Sequence, residues 1–364
     1  MQRLFFLFFT LSSLLIFGCS ESKTQGMEES TCDCSFDPIA YEQRYKDMTD
    51  VHFMVTADPQ YHYKEMNPDL ASVKNSDLVS TILAQKICCE HSRGVIISGD
   101  LTHRARPEEY VRYEQFIKAF KPFVFDGLGN HDLRWAKKEA MKKEAFAEIG
   151  LGEVLPFDKL GFEYNCLNII KDVRDRKRIV DLHSSYPNIH YSWDWENLHC
   201  IQLNLFPGSE TIKGRPAQNP FDAITFLKKD LETQVGNSGR PIILSHHYGV
   251  DFFSIGAPEE GSKINPEASW WTPEDRQRYW DLIEPYNVIA IFSGHAHYCD
   301  ECYLPWDGQS IGEKNVGPDF IPTFVAGAAR EGKYLECQVT SDSLIVKRFD
   351  KKDLLFRKAF AITR

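Results

Sequence analysis

Five short segments carry most of the residues in this chain that could bind a metal ion or move a proton. They are Asp58-Pro59-Gln60, Gly99-Asp100, Gly129-Asn130-His131-Asp132, Ser245-His246-His247 and Gly294-His295-Ala296-His297. Any one of them reads equally well as a turn, but five in order, each closing a strand-like run, ask for one shared site. Two divalent ions held about 3.5–4 Å apart need an anionic ligand between them and a surrounding set that leaves some positive charge uncancelled. Asp100 suits the bridge, Asp58 with the side-chain oxygen of Gln60 suits one ion, and the carbonyl oxygen of Asn130 suits the other. Imidazoles at His246, His295 and His297 can serve either ion and favour Mn, Fe, Zn or Ni, whereas an all-oxygen set would have suited Mg or Ca. The chemistry available to such a pair is activation of water.

The elements that must position these segments follow from hydrophobic pattern. Val51 to Ala57 is β-rich and stops at Asp58-Pro59, because proline cannot donate to a ladder. A helical pattern from about Asp69 to His91 leads to Gly94 to Ser98, a continuous apolar run of the kind buried on both faces of a sheet, which delivers Asp100. Pro107 opens a helix to about Phe120, and the strand Pro122 to Phe125 leads to Asn130 and His131. This alternation implies crossover connections and a largely parallel sheet, with ligands gathered beyond the carboxyl ends of the strands. A helix near Leu133 to Ile149 and an insertion from Gly150 to Asp194 follow. Strands then resume at Leu198 to Leu205, Pro241 to Ser245 and Val288 to Ser293, the last two feeding His246 and Gly294. Pro322 to Ala328, Tyr334 to Thr340 and Leu344 to Phe349 predict a terminal β-meander, with a turn at Thr340-Ser341-Asp342-Ser343.

Composition bounds the partners. With 42 basic against 52 acidic residues the formal charge is −10, which disfavours adhesion to duplex nucleic acid or to a bare anionic membrane. It leaves phosphorylated substrates open, since bound divalent ions would be the largest local charges. At the N-terminus a short basic start, Met1-Gln2-Arg3, precedes an apolar run from Leu4 through Phe17, too short to span a bilayer comfortably and read as an export signal. Leu15-Ile16-Phe17-Gly18-Cys19 resembles the lipobox of bacterial lipoproteins, which implies cleavage after residue 18, lipidation of Cys19 and a place in the bacterial cell envelope. The polar stretch Ser20 to Thr31 would be a tether within residues 19–48, with one catalytic domain over 49–364. Of ten cysteines, lipidation of Cys19 leaves an odd nine. Cys299 and Cys302 have zinc-ribbon spacing but no second pair to complete four ligands, and Cys88 and Cys89 read as core thiols on a helix.

The five segments together resemble the calcineurin-like metallophosphoesterases, whose pattern is D-x-H, G-D-x-x, G-N-H-D/E, a later His, and G-H-x-H. The likeness spans Asp58 to His297. It implies an α/β fold, a four-layer α/β/β/α sandwich with two central mixed sheets and inserted loops at about 150–194 and 251–272. It also implies that Asp58, Gln60, Asp100 and His297 hold one metal and Asp100, Asn130, His246 and His295 the other. His131 becomes the residue that stabilises or protonates the leaving oxygen, with Asp132 available to orient its ring, and His246 is chosen over His247 by its place in the motif. Gln60 departs from the commonest pattern, which has His there; Ala57-Asp58-Pro59-Gln60 resembles a subgroup that includes phosphatases acting on phosphoproteins.

The resemblance implies a dinuclear hydrolase of phosphoric esters, monoesters somewhat preferred over diesters. His103, Arg104, Arg134 and His247 stand near the ligand segments as candidates for a phosphate oxygen, and the aromatic run Asp251 to Trp271 could stack on a substrate ring or cover a lipid, or pack the insertion onto the core. A metallo-β-lactamase-like enzyme would need an H-x-H-x-D-H run, which the sequence lacks. A metal- and phosphoester-binding lipoprotein without turnover is the alternative.

Overall fold

The structure, a computed structural model, describes residues 50–61, 70–90, 92–103, 107–133, 182–183, 190–208, 223–250, 271, 273–304 and 320–362. Contacts divide the chain into Met1–Thr31 and one compact body over Cys32–Arg364, to which every described residue belongs. The signal, Cys19, the tether, Arg104, Arg134 and most of the predicted 133–149 helix and of both insertions lie outside the described residues. Among the described residues no helix is long and apolar enough to cross a membrane.

Strands β1 (Val51–Thr56), β2 (Val95–Ile97) and β3 (Val124–Asp126) run parallel, joined by helices α1 (Ala71–Cys89) and α2 (Pro107–Ile117). Pro107 heads α2, where its fixed φ suits a first turn and its missing N–H has no helical partner to lose. In the second half, β4 (Leu182–His183), β5 (Tyr191–Trp195), β6 (Leu198–Gln202), β7 (Ile242–Ser245), β8 (Val288–Ser293), β9 (Cys299–Leu304) and β10 (Ile321–Ala326) form a sheet in the order β4-β5-β6-β7-β8-β10-β9. Its centre, β6-β7-β8-β10, is parallel and its two ends are antiparallel. Helices α3 (Ala223–Asp230) and α4 (Pro273–Ile283) belong to this half, and Glu274 and Asp275 place acid in the first turn of α4, where the helix dipole favours it. The tail β11 (Lys333–Val339), β12 (Ser343–Asp350) and β13 (Asp353–Ala361) returns to the first sheet, giving β13-β12-β11-β1-β2-β3.

Strand alternation sorts the core into three layers of side chains. Phe53, Val55, Ile96 and Phe125 from the first sheet meet Trp193, Trp195, Phe292 and Phe324 from the second. The Phe125 and Trp193 rings stack with centroids 4.2 Å apart, and such pairs contribute about 0.5–1.5 kcal/mol beyond burial. On the opposite face, Met54, Val95, Ile97 and Val124 pack with Val79, Leu83, Tyr113 and Ile117 of α1 and α2. Ile242 and Leu244 of β7 likewise pack with Leu227, Tyr279 and Ile283 of α3 and α4. The result is the four-layer α/β/β/α arrangement with two mixed sheets that the motifs implied. It also corrects some readings. The tail has one strand more than predicted, β13, and β9 was not foreseen. Trp193, inside the segment read as insertion, is a fully buried core residue on β5. Cys88, read as a buried thiol, is disulfide-bonded, while Cys200 and Cys337 are free and buried between the sheets.

One charged network lies inside the second half, away from the five segments. His199 on β6 is fully buried, with Nδ1 2.7 Å from Asp194 Oδ1 and Nε2 2.8 Å from Asp230 Oδ2. Ser192 donates to Asp230 at 2.6 Å, and Arg240 donates to both oxygens of Asp194. Burial alone would favour the neutral ring, but the two carboxylates outweigh it and raise the His199 pKa above its ordinary value. A raised pKa adds stability that is complete below about pH 6.5 and disappears as pH climbs through the folded-state value. His199→Gln should therefore be less stable than the parent by about 3–5 kcal/mol at pH 6, the cost of stranding a buried partner, with the gap shrinking toward pH 9. Urea unfolding of both proteins across that range measures it; a gap that stays constant with pH would contradict a charged His199.

Candidate metal centre

All five segments lie just beyond the carboxyl ends of parallel strands: Asp58 after β1, Asp100 after β2, Asn130 after β3, His246 and His247 after β7, His295 and His297 after β8. The backbone bends sharply to aim them. Asp58, Gln60, Asp100, His295 and His297 all have positive φ, between 44° and 70°, and make up five of the eight such non-glycine residues among those described. Each such conformation costs about 1–2 kcal/mol, and the concentration marks a site that the surrounding structure holds under strain. Two glycines let the strand ends close up. A Cβ on Gly294 would sit 2.6 Å from Ala57 Cβ and 2.8 Å from Asp58 Oδ2, and one on Gly129 would collide with the Asp100 carboxylate.

The outcome is two groups of buried ligand atoms sharing one member. Asp58, Asp100 and His297 form one, and Asp100, His247 and His295 the other, each with its ligand atoms within 4.8 Å of one another. Asp100 is fully buried; its Oδ1 lies 3.3 Å from His247 Nε2 and accepts from the His131 N–H at 2.8 Å, while its Oδ2 is 3.9 Å from His131 Nε2. Burial opposes ionisation of Asp100, yet the His247 and His131 rings outweigh it and hold the carboxyl well below the usual range. Asp58 Oδ2 accepts from the His295 N–H at 3.0 Å, and His297 Nε2 sits 3.5 Å from Asp58 Oδ1. That Oδ1 is buried with no hydrogen-bond donor among the described residues, which fits a group meant to face a cation. Either group could hold a divalent ion, with Asp100 able to touch both.

The adjacent histidines occupy different environments, and the geometry reverses their expected places. His247 places Nδ1 2.8 Å from the Ser98 carbonyl and turns Nε2 toward Asp100 and Asn130 Oδ1, the latter at 3.1 Å. A ring fixed through one nitrogen by a carbonyl, with the other aimed at the site, is the usual posture of a metal-binding imidazole. His246 points the other way, with Nδ1 2.8 Å from the Tyr248 carbonyl and Nε2 3.2 Å from the Tyr279 hydroxyl, against the Trp271 ring. Burial pushes its pKa down to about 3, so it is a neutral core residue with both nitrogens engaged. His247 moves up to about 9: burial pulls down, but Asp100 outweighs it.

His131 and Asp132 also divide their work differently from the expectation. The His131 Nδ1 lies 2.7 Å from the main-chain carbonyl of His103, so a backbone group sets its ring. The His103 ring lies beside it, tilted by 48° with ring centroids 4.9 Å apart. Asp132 is buried and accepts from the Leu101, Thr102 and Gly129 N–H groups and the Thr102 hydroxyl, tying the β2 and β3 ends together. Gln60 donates from Nε2 to Asp100 Oδ2 at 3.3 Å, and its Oε1 accepts from Arg330 at 2.7 Å. Sequence reasoning missed Arg330, which sits in a three-residue turn, Ala329–Glu331, and carries no motif.

The family model for calcineurin-like phosphoesterases matches residues 48–299, more than half of the chain, and the chain belongs to that family. Its domain is that of a metal-dependent phosphoester hydrolase. Among solved structures, a purple acid phosphatase, PPD1, from yellow lupin (Lupinus luteus) seeds is 15% identical with a TM-score of 0.53, over 86% of this chain and 54% of the lupin chain. The chain thus spans about half the length of that protein, and the likeness shows a shared fold. A dimetal phosphatase from Danio rerio is 12% identical over 86% of this chain and 99% of its own, with a TM-score of 0.46. No curated protein matches the sequence.

The two histidines separate in a simple experiment. His247→Ala should lower the bound metal by about one equivalent, measured by elemental analysis after loading with Mn. His246→Leu should keep both equivalents and lose about 1–3 kcal/mol of stability as the Tyr248 carbonyl and the Tyr279 hydroxyl lose their partner. The reverse pattern would restore His246 as the ligand.

Proposed function

We propose that this protein hydrolyses phosphoric esters, monoesters in preference to diesters, at a dinuclear centre of Mn, Fe, Zn or Ni. The observation that carries the reading is that one buried carboxylate, Asp100, belongs to both Asp/His groups. Asp58, Asp100 and His297 would hold one ion; Asp100, Asn130, His247 and His295 would hold the other. Such a pair, when bound, activates water and neutralises charge on the phosphoryl group. The chain's own part is orientation and proton handling. The His103 carbonyl fixes the ring of His131 through Nδ1, leaving Nε2 beside the site at 3.9 Å from Asp100. Protonated on both nitrogens, His131 gives its Nε2 proton to the ester oxygen as the phosphorus–oxygen bond breaks; water supplies the hydroxyl that stays on phosphorus, and its other proton leaves to solvent, from which His131 is reprotonated. Asp132 keeps the loops bearing Asp100 and His131 in register.

We place the protein in the bacterial cell envelope, anchored through a lipid on Cys19. The Leu4 to Cys19 signal supports this, as does the disulfide at Cys88, since such bonds persist in oxidising compartments.

Turnover of a panel of monoesters, diesters and phosphopeptides by protein loaded separately with Mn, Fe, Zn and Ni tests the activity. His131→Ala should lower kcat by about 10²–10⁴-fold on alkyl esters, less on nitrophenyl esters, whose leaving group needs no proton. If Asn130→Ala and His131→Ala both match the parent, the site is wrong. Cys19→Ser should move the protein from the membrane to the soluble fraction of expressing bacteria; retention in the membrane argues for another anchor.

A further inference from the structure

Gln60 and Arg330 form a pair whose chemistry fixes the orientation of an amide beside the bridging carboxylate. An amide side chain has one accepting end and one donating end, and which faces which is decided by its neighbours. Arg330 can only donate, and its guanidinium lies 2.7 Å from one end of the Gln60 amide. Asp100, an acceptor toward the His131 N–H, lies 3.3 Å from the other end. Both neighbours demand the same arrangement: oxygen to Arg330, nitrogen to Asp100. The reverse would set N–H against guanidinium and oxygen against carboxylate.

Both partners are anchored by their backbones. Gln60 is 3% exposed, and its N–H donates to the Asp100 carbonyl at 3.0 Å. The Arg330 carbonyl accepts from the Asn75 side chain at 3.2 Å, and its N–H reaches the Asp58 carbonyl at 3.4 Å. In the same turn, Glu331 Oε1 lies 3.9 Å from His297 Nδ1. The Ala329–Glu331 turn therefore touches two residues of the first pocket from behind.

We infer that Arg330 is a positioning residue for the first metal pocket: it holds Gln60 so that the amide donates a hydrogen bond to the bridging Asp100 and stays outside the coordination shell. The pocket then rests on Asp58, Asp100 and His297. This departs from the sequence expectation that Gln60 supplies a ligand oxygen, and it explains how glutamine can stand where the family pattern has histidine. The amide steadies the shared carboxylate, and Arg330 keeps it from turning over. The inference rests on the two-pocket reading of the site proposed above.

Stepwise Mn titration by calorimetry of the full mature protein, stripped of metal, tests the pair. Arg330→Ala should weaken one of the two binding steps by roughly 10–100-fold and leave the other unchanged. In a Gln60→Ala background, Arg330→Ala should add nothing, because Arg330 acts through Gln60. Arg330→Lys, which keeps a donor, should recover part of the loss. Thermal melts of the stripped variants identify any that fail to fold, and a crystal structure of the Mn-loaded parent gives the orientation of Gln60 directly. Gln60 Oε1 bonded to a metal, or an equal effect of Arg330→Ala with and without Gln60, overturns the inference. Absence of any Mn binding by the parent overturns the two-pocket reading instead.

Discussion

A fully buried carboxylate, Asp100, with imidazole rings gathered about it is the constraint around which the rest of this protein is organised. Removing the Asp100 charge from water costs several kcal/mol unless partners of opposite character surround it. The chain meets that demand from several directions at once: the His131 N–H, the His247 and His131 rings and the Gln60 amide all converge on its two oxygens. To bring them together, strand ends bend into left-handed conformations that side chains ordinarily avoid, and glycines stand where any Cβ would intrude. Local backbone preference is overruled there by the electrostatics of one residue.

Much of this was legible in the sequence because strand burial and strand-end chemistry leave strong local marks. Runs such as Gly94 to Ser98 and Val288 to Ser293 are apolar at every central position, which only a sheet covered on both faces requires, and they emerge as β2 and β8. What stayed hidden depended on tertiary geometry. After Ser245 two histidines follow in succession, and nothing in a one-dimensional pattern says which leaves the turn toward the Ser98 carbonyl and which toward Tyr279. The orientation of His131 by a main-chain carbonyl has no side-chain signature at all. Arg330 lies 270 residues from Gln60 in a turn without pattern, so only the fold brings them into contact. β13 escaped because its side chains are mostly exposed on an edge strand, which removes the burial alternation by which strands are recognised.

The His199 network shows how the same problem is solved where no chemistry is wanted. There, too, a buried ring lies between two carboxylates, but each ring nitrogen is satisfied by one oxygen and Arg240 covers the remaining charge. The network is closed. At the strand ends, by contrast, Asp58 Oδ1 is buried without a hydrogen-bond donor among the described residues. Similar residues thus form a structural clamp in one place and an open set of candidate ligands in the other.

The division of ligands between the sheets carries a mechanical meaning. Asp58, Asp100 and Asn130 all hang from the first sheet, and His247, His295 and His297 all hang from the second. Among the described residues short polar contacts already tie the sheets at this end, such as Ser98 Oγ to Ser245 Oγ at 3.0 Å, His247 to the Ser98 carbonyl at 2.8 Å and the His295 N–H to Asp58 at 3.0 Å. An ion bound among these ligands is therefore a rivet through two plates, and the free energy of filling the site is also free energy of keeping the halves of the sandwich together. Ion occupancy and the integrity of the aromatic layer between the sheets become one linked equilibrium, so metal supply would set how long the folded molecule lasts as well as how fast it works.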